Sequence, residues 1–260
     1  MPARNLEFKC ALVTGGGGGI GRAISEWLIS ERKEVIIVGR TESKLKSTAE
    51  EIGAATYYTL DTGDIPSVTP FIKQLISEHP EVDCLINNAG VQRPLQVLQD
   101  KPQEFLQKAD QEIDINIRGP MHLTLGFLEH FKSKPNGGLI VNVSSVLGYV
   151  PFSVVNPVYN GTKAWVHFWS LNLRTQLKDT NIRVLEIAPP TVATDLHRER
   201  SDPDDNKKEK NSNALTVDEF IERVVKQWKG GSETIGAGMS EKILEKWGKE
   251  FGSQYEQLTR

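Results

Sequence analysis

Residues 11–24 read ALVTGGGGGIGRAI, an apolar run followed by five consecutive glycines and then by the start of a helical pattern. Glycines between a strand and a helix permit a tight turn and let the backbone approach a phosphate closely, and the helix N-terminus adds N–H donors. This order of strand, glycine loop and helix predicts a dinucleotide site. The backbone expected to hold the dinucleotide is that of Gly15, Gly16, Gly17, Gly18, Gly19, Ile20 and Gly21.

Two other interpretations of this loop fit the sequence less well. The phosphate loop of nucleoside triphosphatases would use Gly16 and Gly21, but Arg22 and Ala23 then stand where that loop needs Lys and Ser or Thr. A flexible surface turn would account for one or two glycines, but it does not account for a run of five followed by Gly21. The strand before the loop and the helix after it therefore favour a dinucleotide.

Short apolar runs rich in β-branched residues alternate with helix-length segments along most of the chain. The strand candidates are almost continuously apolar, as expected for strands buried on both faces, and they span residues 10–14, 34–39, 55–60, 82–87, 138–143 and 182–188. Helical patterns cover residues 20–32, 42–52, 65–79, 102–131 (allowing for a break) and 157–179. This alternation predicts an α/β fold with a doubly wound parallel sheet between two helical layers.

The chain changes character after residue 190. Residues 197–213, HRERSDPDDNKKEKNSN, carry almost no apolar side chain and are expected to form a mobile loop. A solvated loop explains this composition, and its place after the sixth strand equally suits a lid over substrate. A helix is predicted at 215–228, opened by a capping box of Thr216 and Glu219. A short strand in ETIGAG and a helical tail at 239–260 complete one domain, residues 1–260.

Composition argues against several classes of function. The 260 residues include 31 Lys and Arg against 34 Asp and Glu, and this balance gives no reason to expect a nucleic-acid or membrane partner. No apolar run could span a bilayer, and the N-terminus MPARNLEFKC lacks a signal peptide, so a cytoplasmic protein is expected. Cys10 and Cys84 lie in predicted strands and are expected to be buried free thiols. The five histidines show no metal-ligand spacing, so no metal site is predicted.

The end of the second predicted strand bears on the choice of nicotinamide cofactor. An Asp or Glu at this point binds the ribose 2′-OH of NAD, whereas an Arg nearby accommodates the 2′-phosphate of NADP. The strand ends in Val38-Gly39-Arg40, without an acid. Gly39 and Arg40 therefore favour NADP(H). A solvated Arg at a helix start is the alternative, and Glu42 nearby keeps NAD(H) open.

A candidate acid–base pair lies at the start of the sixth helical segment. Tyr159 and Lys163 are four residues apart, so their side chains lie on one helical face. A phenol with a pKa near 10 is a poor acid–base catalyst at neutral pH unless a nearby cation favours the phenolate. The strand 138–143 ends in Ser144 and Ser145, which should face the same crevice as the glycine loop, since ligands bind beyond the carboxyl ends of parallel strands.

Four motifs in this order and spacing resemble the short-chain dehydrogenase/reductase family: TGGGGGIG at 14–21, NNAG at 87–90, NVSS at 142–145 and YNGTK at 159–163. Each motif alone is weak, but their joint order is strong, and the resemblance covers about residues 8–195. It implies a single-domain Rossmann fold. It also implies hydride transfer between a nicotinamide cofactor and a small carbonyl or alcohol substrate.

The resemblance also implies roles for individual residues. Tyr159 resembles the general acid/base, and Lys163 the residue that lowers its pKa and binds the nicotinamide ribose. Ser145 resembles the residue that hydrogen-bonds the substrate oxygen, and Asn116 the one that positions a water in a proton relay to the lysine. Cofactor contacts are implied for Asp61, Asn88, Ala89, Gly90, Pro189, Val192 and Thr194.

Two features depart from the usual pattern of the family. Pro189-Pro190 stands where Pro-Gly is usual, which makes the backbone there more rigid. The chain's end lacks the Asp-Gly-Gly ending of many members, so their tail-mediated tetramer is not expected. Both features are similar to the DltE-type oxidoreductase subgroup, which names no substrate. Trp165 and Trp169 lie on the helix that commonly packs against a second subunit in this family, so a homodimer or higher homo-oligomer is expected.

Two other functions stay open on this sequence. A non-catalytic NADP(H)-binding regulator or scaffold could keep the fold and lose its acid/base, but all four catalytic-type residues are present. A lyase or epimerase on the same fold would retain its cofactor and consume none. The residues that would shape a substrate pocket, around 91–99, 147–157 and 193–215, follow no motif that names a substrate.

Overall fold

The computed structural model describes residues 4–259; the first three residues of the predicted domain and Arg260 at its end lie outside this range. Seven strands form one parallel sheet in the order β3-β2-β1-β4-β5-β6-β7. The strands are β1 Cys10–Thr14, β2 Glu34–Gly39, β3 Thr56–Thr59, β4 Val82–Asn87, β5 Gly138–Val143, β6 Ile182–Ala188 and β7 Thr234–Gly236. The strand order reverses between β1 and β4, where a doubly wound sheet opens a crevice at the carboxyl ends of its strands. The predicted fold is confirmed.

The helices flank this sheet. They are α1 Gly19–Ser30, α2 Glu42–Ile52, α3 Ile65–Glu78, α4 Pro102–Ile113, α5 Gly119–Lys132, α6 Pro157–Leu177, α7 Val217–Lys229, α8 Met239–Trp247 and α9 Ser253–Thr259. Short helical turns lie at Arg4–Leu6, Asp114–Arg118, Val146–Gly148, Asp195–His197 and Gly248–Gly252. The break allowed for within 102–131 is the π-helical turn Asp114–Arg118. At the start of α7 the predicted capping box is confirmed, because Thr216 and Glu219 each accept from the other's backbone N–H.

Two apolar cores sandwich the sheet because successive strand residues point to opposite faces. In β1, Ala11 and Val13 pack with α1, α2 and α7, whereas Cys10 and Leu12 pack with α3, α5 and α6. All five residues of β1 are buried, which explains their continuous apolar pattern. Within the described range, no helix combines the length and the apolar character needed to cross a membrane.

Two segments refine the sequence-based picture. The third strand is shorter than predicted, although Ala55 and Leu60 just outside it still donate backbone hydrogen bonds to β2. Residues 198–213 run through successive turns and bends. Within them Asn206 is buried and donates to the carbonyls of Val192 and Thr194, at 3.0 Å each. The segment is therefore irregular but anchored, and its movement over substrate stays a prediction. Cys10 and Cys84 are buried free thiols, as predicted.

Candidate active site

A cleft of about 700 Å³ opens along the carboxyl ends of the strands. Its walls come from the glycine loop, from the ends of β2 to β6 and from the start of α6. The cleft brings together most of the sequence-predicted site residues: Gly15, Gly17, Gly18, Gly19, Ile20, Gly39, Arg40, Asp61, Asn88, Ala89, Gly90, Ser145, Tyr159, Lys163, Pro189, Val192 and Thr194. Gly16, Gly21 and Asn116 are absent from its lining among the residues described.

The glycine loop explains why some of its residues must be glycine. Gly15 and Gly19 have φ angles of +68° and +51°, which side-chain-bearing residues rarely adopt. Gly16 and Gly21 serve packing instead, because an added Cβ would lie 2.7 Å from Ile37 and 2.4 Å from the carbonyl oxygen of Gly15. The loop can therefore turn sharply into α1 while its backbone faces the cleft.

Asn88 ties the end of β4 to this loop. Its side-chain amide donates to the carbonyl of Thr14 at 2.9 Å, and its backbone N–H donates to the Thr14 hydroxyl at 3.0 Å. The backbone N–H of Ala89 donates to the same hydroxyl at 3.0 Å. The second asparagine of the NNAG motif thus fixes the position of the glycine loop at the wall of the cleft. This function does not require contact with a ligand.

Tyr159, Ser145 and Lys163 meet where β5 ends and α6 begins. Pro157 starts α6, so that Tyr159 and Lys163 occupy adjacent turns on one face. The Lys163 ammonium lies 5.6 Å from the centre of the Tyr159 ring, and it donates to the carbonyl of Val143 at 2.8 Å. The Ser145 hydroxyl accepts from the backbone N–H of Leu147 at 3.1 Å, so it can still donate its own proton.

Asn116 is buried behind these residues, in the π-helical turn that joins α4 and α5. Its side-chain oxygen accepts from the N–H of Val91 at 2.9 Å, and its amide donates to the Val91 carbonyl at 2.9 Å and to the Thr162 hydroxyl at 3.1 Å. A π turn within a helix often marks a functional site. Here the side chain joins the segment after β4 to α6 beside Lys163.

Comparison with known proteins assigns the chain to a family. A family profile for short chain dehydrogenases matches residues 9–205. The chain belongs to the short-chain dehydrogenase/reductase family. It is therefore an oxidoreductase of this family, and the resemblance based on its four motifs is confirmed.

Two curated relatives and one solved structure illustrate this membership. An uncharacterized oxidoreductase DltE from Bacillus subtilis is 30% identical over 253 residues, which is 97% of each chain. An NADP-dependent 3-hydroxy acid dehydrogenase YdfG from Shigella flexneri is 34% identical over 220 residues, 82% of this chain and 86% of the relative. The structure of a serine dehydrogenase with NADP+ is 28% identical with a TM-score of 0.75, covering 87% of this chain and 93% of that one.

Burial dominates the electrostatics of this short-chain dehydrogenase/reductase site. It raises the pKa of Tyr159, and the charge of Glu112 raises that pKa further, while the Ser145 hydroxyl and the charge of Arg200 lower it. Burial lowers the pKa of Lys163 to about 8, which the charge of Glu112 opposes. The cation implied to activate the phenol is thus itself strongly desolvated, and the pKa of the phenol lies above its ordinary value.

Two cations lie at the end of the cleft beside β2 and α2. Arg40 lies 3.9 Å from Asp61, and both side chains are about half exposed. Lys44 on α2 was not among the predicted site residues, yet it lines the cleft and lies 3.9 Å from Asp195. An added Cβ on Gly18 would lie 3.0 Å from the Lys44 ammonium, so this cation faces the glycine loop. Lys44 follows no motif, and only its position four residues after Arg40 could have suggested it.

Arg200 is a second cleft residue that sequence analysis missed. It belongs to the irregular segment 197–213 and donates to the side-chain oxygens of Gln92, Asn156 and Asp205, at 3.0, 2.6 and 2.7 Å. These partners come from the segment after β4, from the residue that caps α6 and from the segment itself. Arg200 therefore ties this segment to two walls of the cleft.

A buried polar cluster supports the end of β5. Glu186 is fully buried and accepts from Ser144 at 2.5 Å, from Tyr149 at 3.0 Å and from His167 at 3.0 Å. Trp247 of α8 packs edge-on against the His167 ring, with centroids 4.7 Å apart. Both serines of the NVSS motif line the cleft, but the Ser144 hydroxyl donates its proton to Glu186, which leaves Ser145 as the serine whose hydroxyl proton is available to a ligand.

Potential metal ligands also converge at one place outside the cleft. Ligand atoms of Cys10, Glu34 and Glu81 lie within 4.8 Å of one another, at the amino ends of β1 and β2. Burial raises the pKa of the Cys10 thiol to about 12, and the thiolate rather than the thiol binds metals. This cluster is a poor metal site, and the prediction that the protein uses no metal stays a prediction.

Proposed function

We propose that this protein is an NADP(H)-dependent oxidoreductase that transfers a hydride between a nicotinamide cofactor and a small carbonyl or alcohol substrate. The observation that carries the proposal is the meeting of Tyr159, Ser145 and Lys163 in the same cleft as the glycine loop. An acid–base phenol, a hydroxyl donor and a cation beside a dinucleotide site are the groups that carbonyl reduction needs.

The cleft suits a dinucleotide in shape and in hydrogen-bonding capacity. The backbone from Gly15 to Gly19 lines it, and α1 begins at Gly19 without a side-chain cap from any described residue. Its first N–H groups can therefore donate to a diphosphate. Asp61 and Ala89 would flank the adenosine, whereas Pro189, Val192 and Thr194 would line the nicotinamide end. When bound, the nicotinamide supplies or accepts the hydride.

NADP(H) is the proposed cofactor because the cations that follow β2, Arg40 and Lys44, line the cleft, whereas the acid between them, Glu42, does not. Gly39 leaves room at the position of the usual acid, and Arg40 and Lys44 lie on the same side of the cleft. The YdfG relative and the serine dehydrogenase structure both carry NADP in their names. Asp61, 3.9 Å from Arg40, is the group through which NAD(H) use could persist.

The chain's own residues would handle the proton and orient the substrate. Tyr159 would donate its phenolic proton to the substrate oxygen during reduction and accept it back during oxidation. Ser145 would donate a hydrogen bond to the same oxygen and hold the carbonyl in place. Lys163 would bind the ribose next to the nicotinamide and favour the phenolate through its charge. Asn116 would hold the segment from Gly90 to Val91 against α6.

Small hydroxy acids are the first substrates to test. One relative is named for 3-hydroxy acids and one structural neighbour for serine, which is itself a 3-hydroxy acid. The decisive experiment follows NADPH consumption with 3-oxo acids, neutral ketones and aldehydes, and NADP+ reduction with the matching alcohols. Turnover of a carbonyl class above the rate of Tyr159→Phe supports the proposal. NADPH binding without turnover would instead favour a regulator, and substrate conversion without net cofactor consumption would favour a lyase or epimerase.

We also propose a homodimer or higher homo-oligomer and a cytoplasmic location. Phe168 on α6 is 54% exposed and Leu125 on α5 is 53% exposed. The stacked rings of Trp165 and Trp169 lie on the same helix as Phe168. Exposed apolar side chains on these helices favour a covered face. Light scattering of the purified protein tests the mass, and subcellular fractionation tests the location.

A further inference from the structure

Helix α4 carries a carboxyl group where its burial pattern calls for an apolar side chain. The helix is mostly exposed, and only Ala109 and Glu112 are buried on it. Glu112 is 0% exposed, and Asn116 follows one turn later on the same face. Glutamate is almost never fully buried without a partner, so this position requires an explanation.

The carboxylate of Glu112 lacks the partners that normally compensate burial. Neither oxygen has a hydrogen-bond partner among the residues described. Arg93 lowers the pKa of Glu112 most, through its positive charge and through its backbone N–H, but the Arg93 guanidinium is engaged by Glu199 at 3.1 Å. Because burial outweighs these charges, the pKa of Glu112 rises to about 8. At neutral pH the group is therefore mostly an uncharged acid.

Glu112 nevertheless lies within electrostatic reach of the catalytic pair. Its charge raises the pKa of both Tyr159 and Lys163, and the charge of Lys163 in turn lowers the pKa of Glu112. Helix α4 packs directly on α6, which carries both residues. Asn116, one turn after Glu112, donates to the Thr162 hydroxyl of α6 at 3.1 Å, directly before Lys163 in the chain.

We propose that Glu112 is a positioning residue of the active site, and that the protonation state of its buried carboxyl sets the charge under which Lys163 and Tyr159 work. While the carboxyl is protonated, Lys163 is the uncompensated cation beside the phenol. When it ionises, its charge offsets that of Lys163 and holds the proton more firmly on Tyr159. The charged and titratable groups around the Glu112 carboxyl are Arg93 and Glu199 from the loops and Lys163 and Tyr159 from α6. The catalytic part of this proposal rests on the proposed function.

The isosteric variant Glu112→Gln removes only the ionisation. Glu112 has a folded pKa of about 8 against an ordinary value of 4.5. Between these values the unfolded chain releases a proton that the folded chain keeps, so wild type should lose stability relative to Glu112→Gln as pH rises from about 4.5 to 8. Glu104→Gln on the exposed face of α4 is the matched control, and it should not reproduce this gain in stability over wild type as pH rises.

A second readout follows Lys163 without any substrate. Lys163 lines the cleft, so acetic anhydride can reach it, and mass spectrometry of the labelled peptide reports its rate of acetylation. Glu112→Gln removes the charge that raises the pKa of Lys163, so the pH at which Lys163 reaches half of its maximal acetylation rate should lie below that of wild type, by about half a pH unit. Glu104→Gln should react like wild type.

The third readout is alcohol oxidation with NADP+, whose rate rises with pH as Tyr159 loses its proton. In Glu112→Gln this rise should move to lower pH. A stability offset that does not depend on pH, or an unchanged Lys163 reactivity, would overturn the proposal. If neither protein turns over any alcohol, the proposed function fails while the first two readouts still decide the role of Glu112. If Glu112→Gln does not fold, Glu112→Met, of similar volume, serves in all three measurements.

Discussion

The ammonium of Lys163 donates a hydrogen bond to the carbonyl oxygen of Val143, at 2.8 Å. Val143 is the last residue of β5, and Ser144 and Ser145 follow it directly. The lysine proposed to serve the cofactor and the phenol is therefore anchored to the strand that leads to the serine. This bond fixes the ammonium through a neutral carbonyl, and it leaves the positive charge available to a ribose and to Tyr159.

From this geometry we predict that Lys163→Ala lowers turnover by about 10²-fold or more and also weakens NADPH binding. Lys163→Arg should restore only part of either, because a planar guanidinium does not replace a compact ammonium beside the Val143 carbonyl. Calorimetric titration with NADPH and steady-state kinetics measure the two effects. Lys178→Ala is the control, because Lys178 is exposed and lies just beyond the end of α6. An unchanged NADPH affinity in Lys163→Ala would argue against the double role.

Tyr159→Phe keeps the ring in its buried place but removes the transferable proton. Turnover should fall by about 10²-fold or more, whereas NADPH binding should change little. Since burial raises the pKa of Tyr159, the phenol in wild type is protonated at neutral pH and ready to act as an acid in reduction. Near-normal turnover in Tyr159→Phe would mean that another group transfers the proton.

Arg200→Ala should raise KM more than it lowers kcat, by about 5- to 10-fold in KM, roughly 1–1.4 kcal/mol. The change removes the hydrogen bonds to Gln92, Asn156 and Asp205 that hold the segment 197–213 against the cleft. Arg200→Lys keeps the charge that lowers the pKa of Tyr159, so it separates anchoring from electrostatics. Lys210→Ala in the same segment is the control, because Lys210 pairs with Asp202 and both side chains are about half exposed. An unchanged KM in Arg200→Ala would show that the segment needs no such anchor.

The sequence was sufficient to predict the sheet and to predict that the glycine loop, Ser145 and the start of α6 lie at one edge of it, for reasons that the structure makes clear. The strands are buried on both faces, so they are continuous apolar runs with sharp ends at Thr14, Gly39 and Val143. In a parallel sheet, residues that follow strand ends must meet at one edge. The glycine loop, Ser145 and the start of α6 therefore meet even though they are far apart in the chain.

The residues near the cleft that the sequence did not predict have long charged side chains. Lys44 and Arg200 reach the cleft from a helix and an irregular segment, and their positions depend on tertiary packing rather than on a local pattern. Glu112 lies on a helix in which Ala109 is the only other buried residue, so the sequence pattern gave no sign that its side chain is buried. Gly16 and Gly21 were assigned to the cofactor, yet their lack of a side chain is explained by close contacts with Ile37 and Gly15.

The choice of cofactor gives the last prediction. Gly39 leaves the space in which an acid would repel a 2′-phosphate, and Arg40, half exposed and 3.9 Å from Asp61, can turn to that dianion. A charge-assisted contact of this kind contributes about 1.5–3 kcal/mol, which is about 10- to 150-fold in affinity. We therefore expect wild type to prefer NADPH over NADH by at least about tenfold in kcat/KM. Gly39→Asp combined with Arg40→Leu should reverse the order, since it adds an acceptor for the 2′-OH and a charge that repels the phosphate.

Lys46→Leu is the control for this prediction. Lys46 is exposed on α2 and lies away from the cleft, so its replacement should leave the ratio of the two cofactors unchanged. Equal use of both cofactors by wild type, or a double variant that still prefers NADPH, would place recognition of the 2′-phosphate on other residues, with Lys44 the first to test.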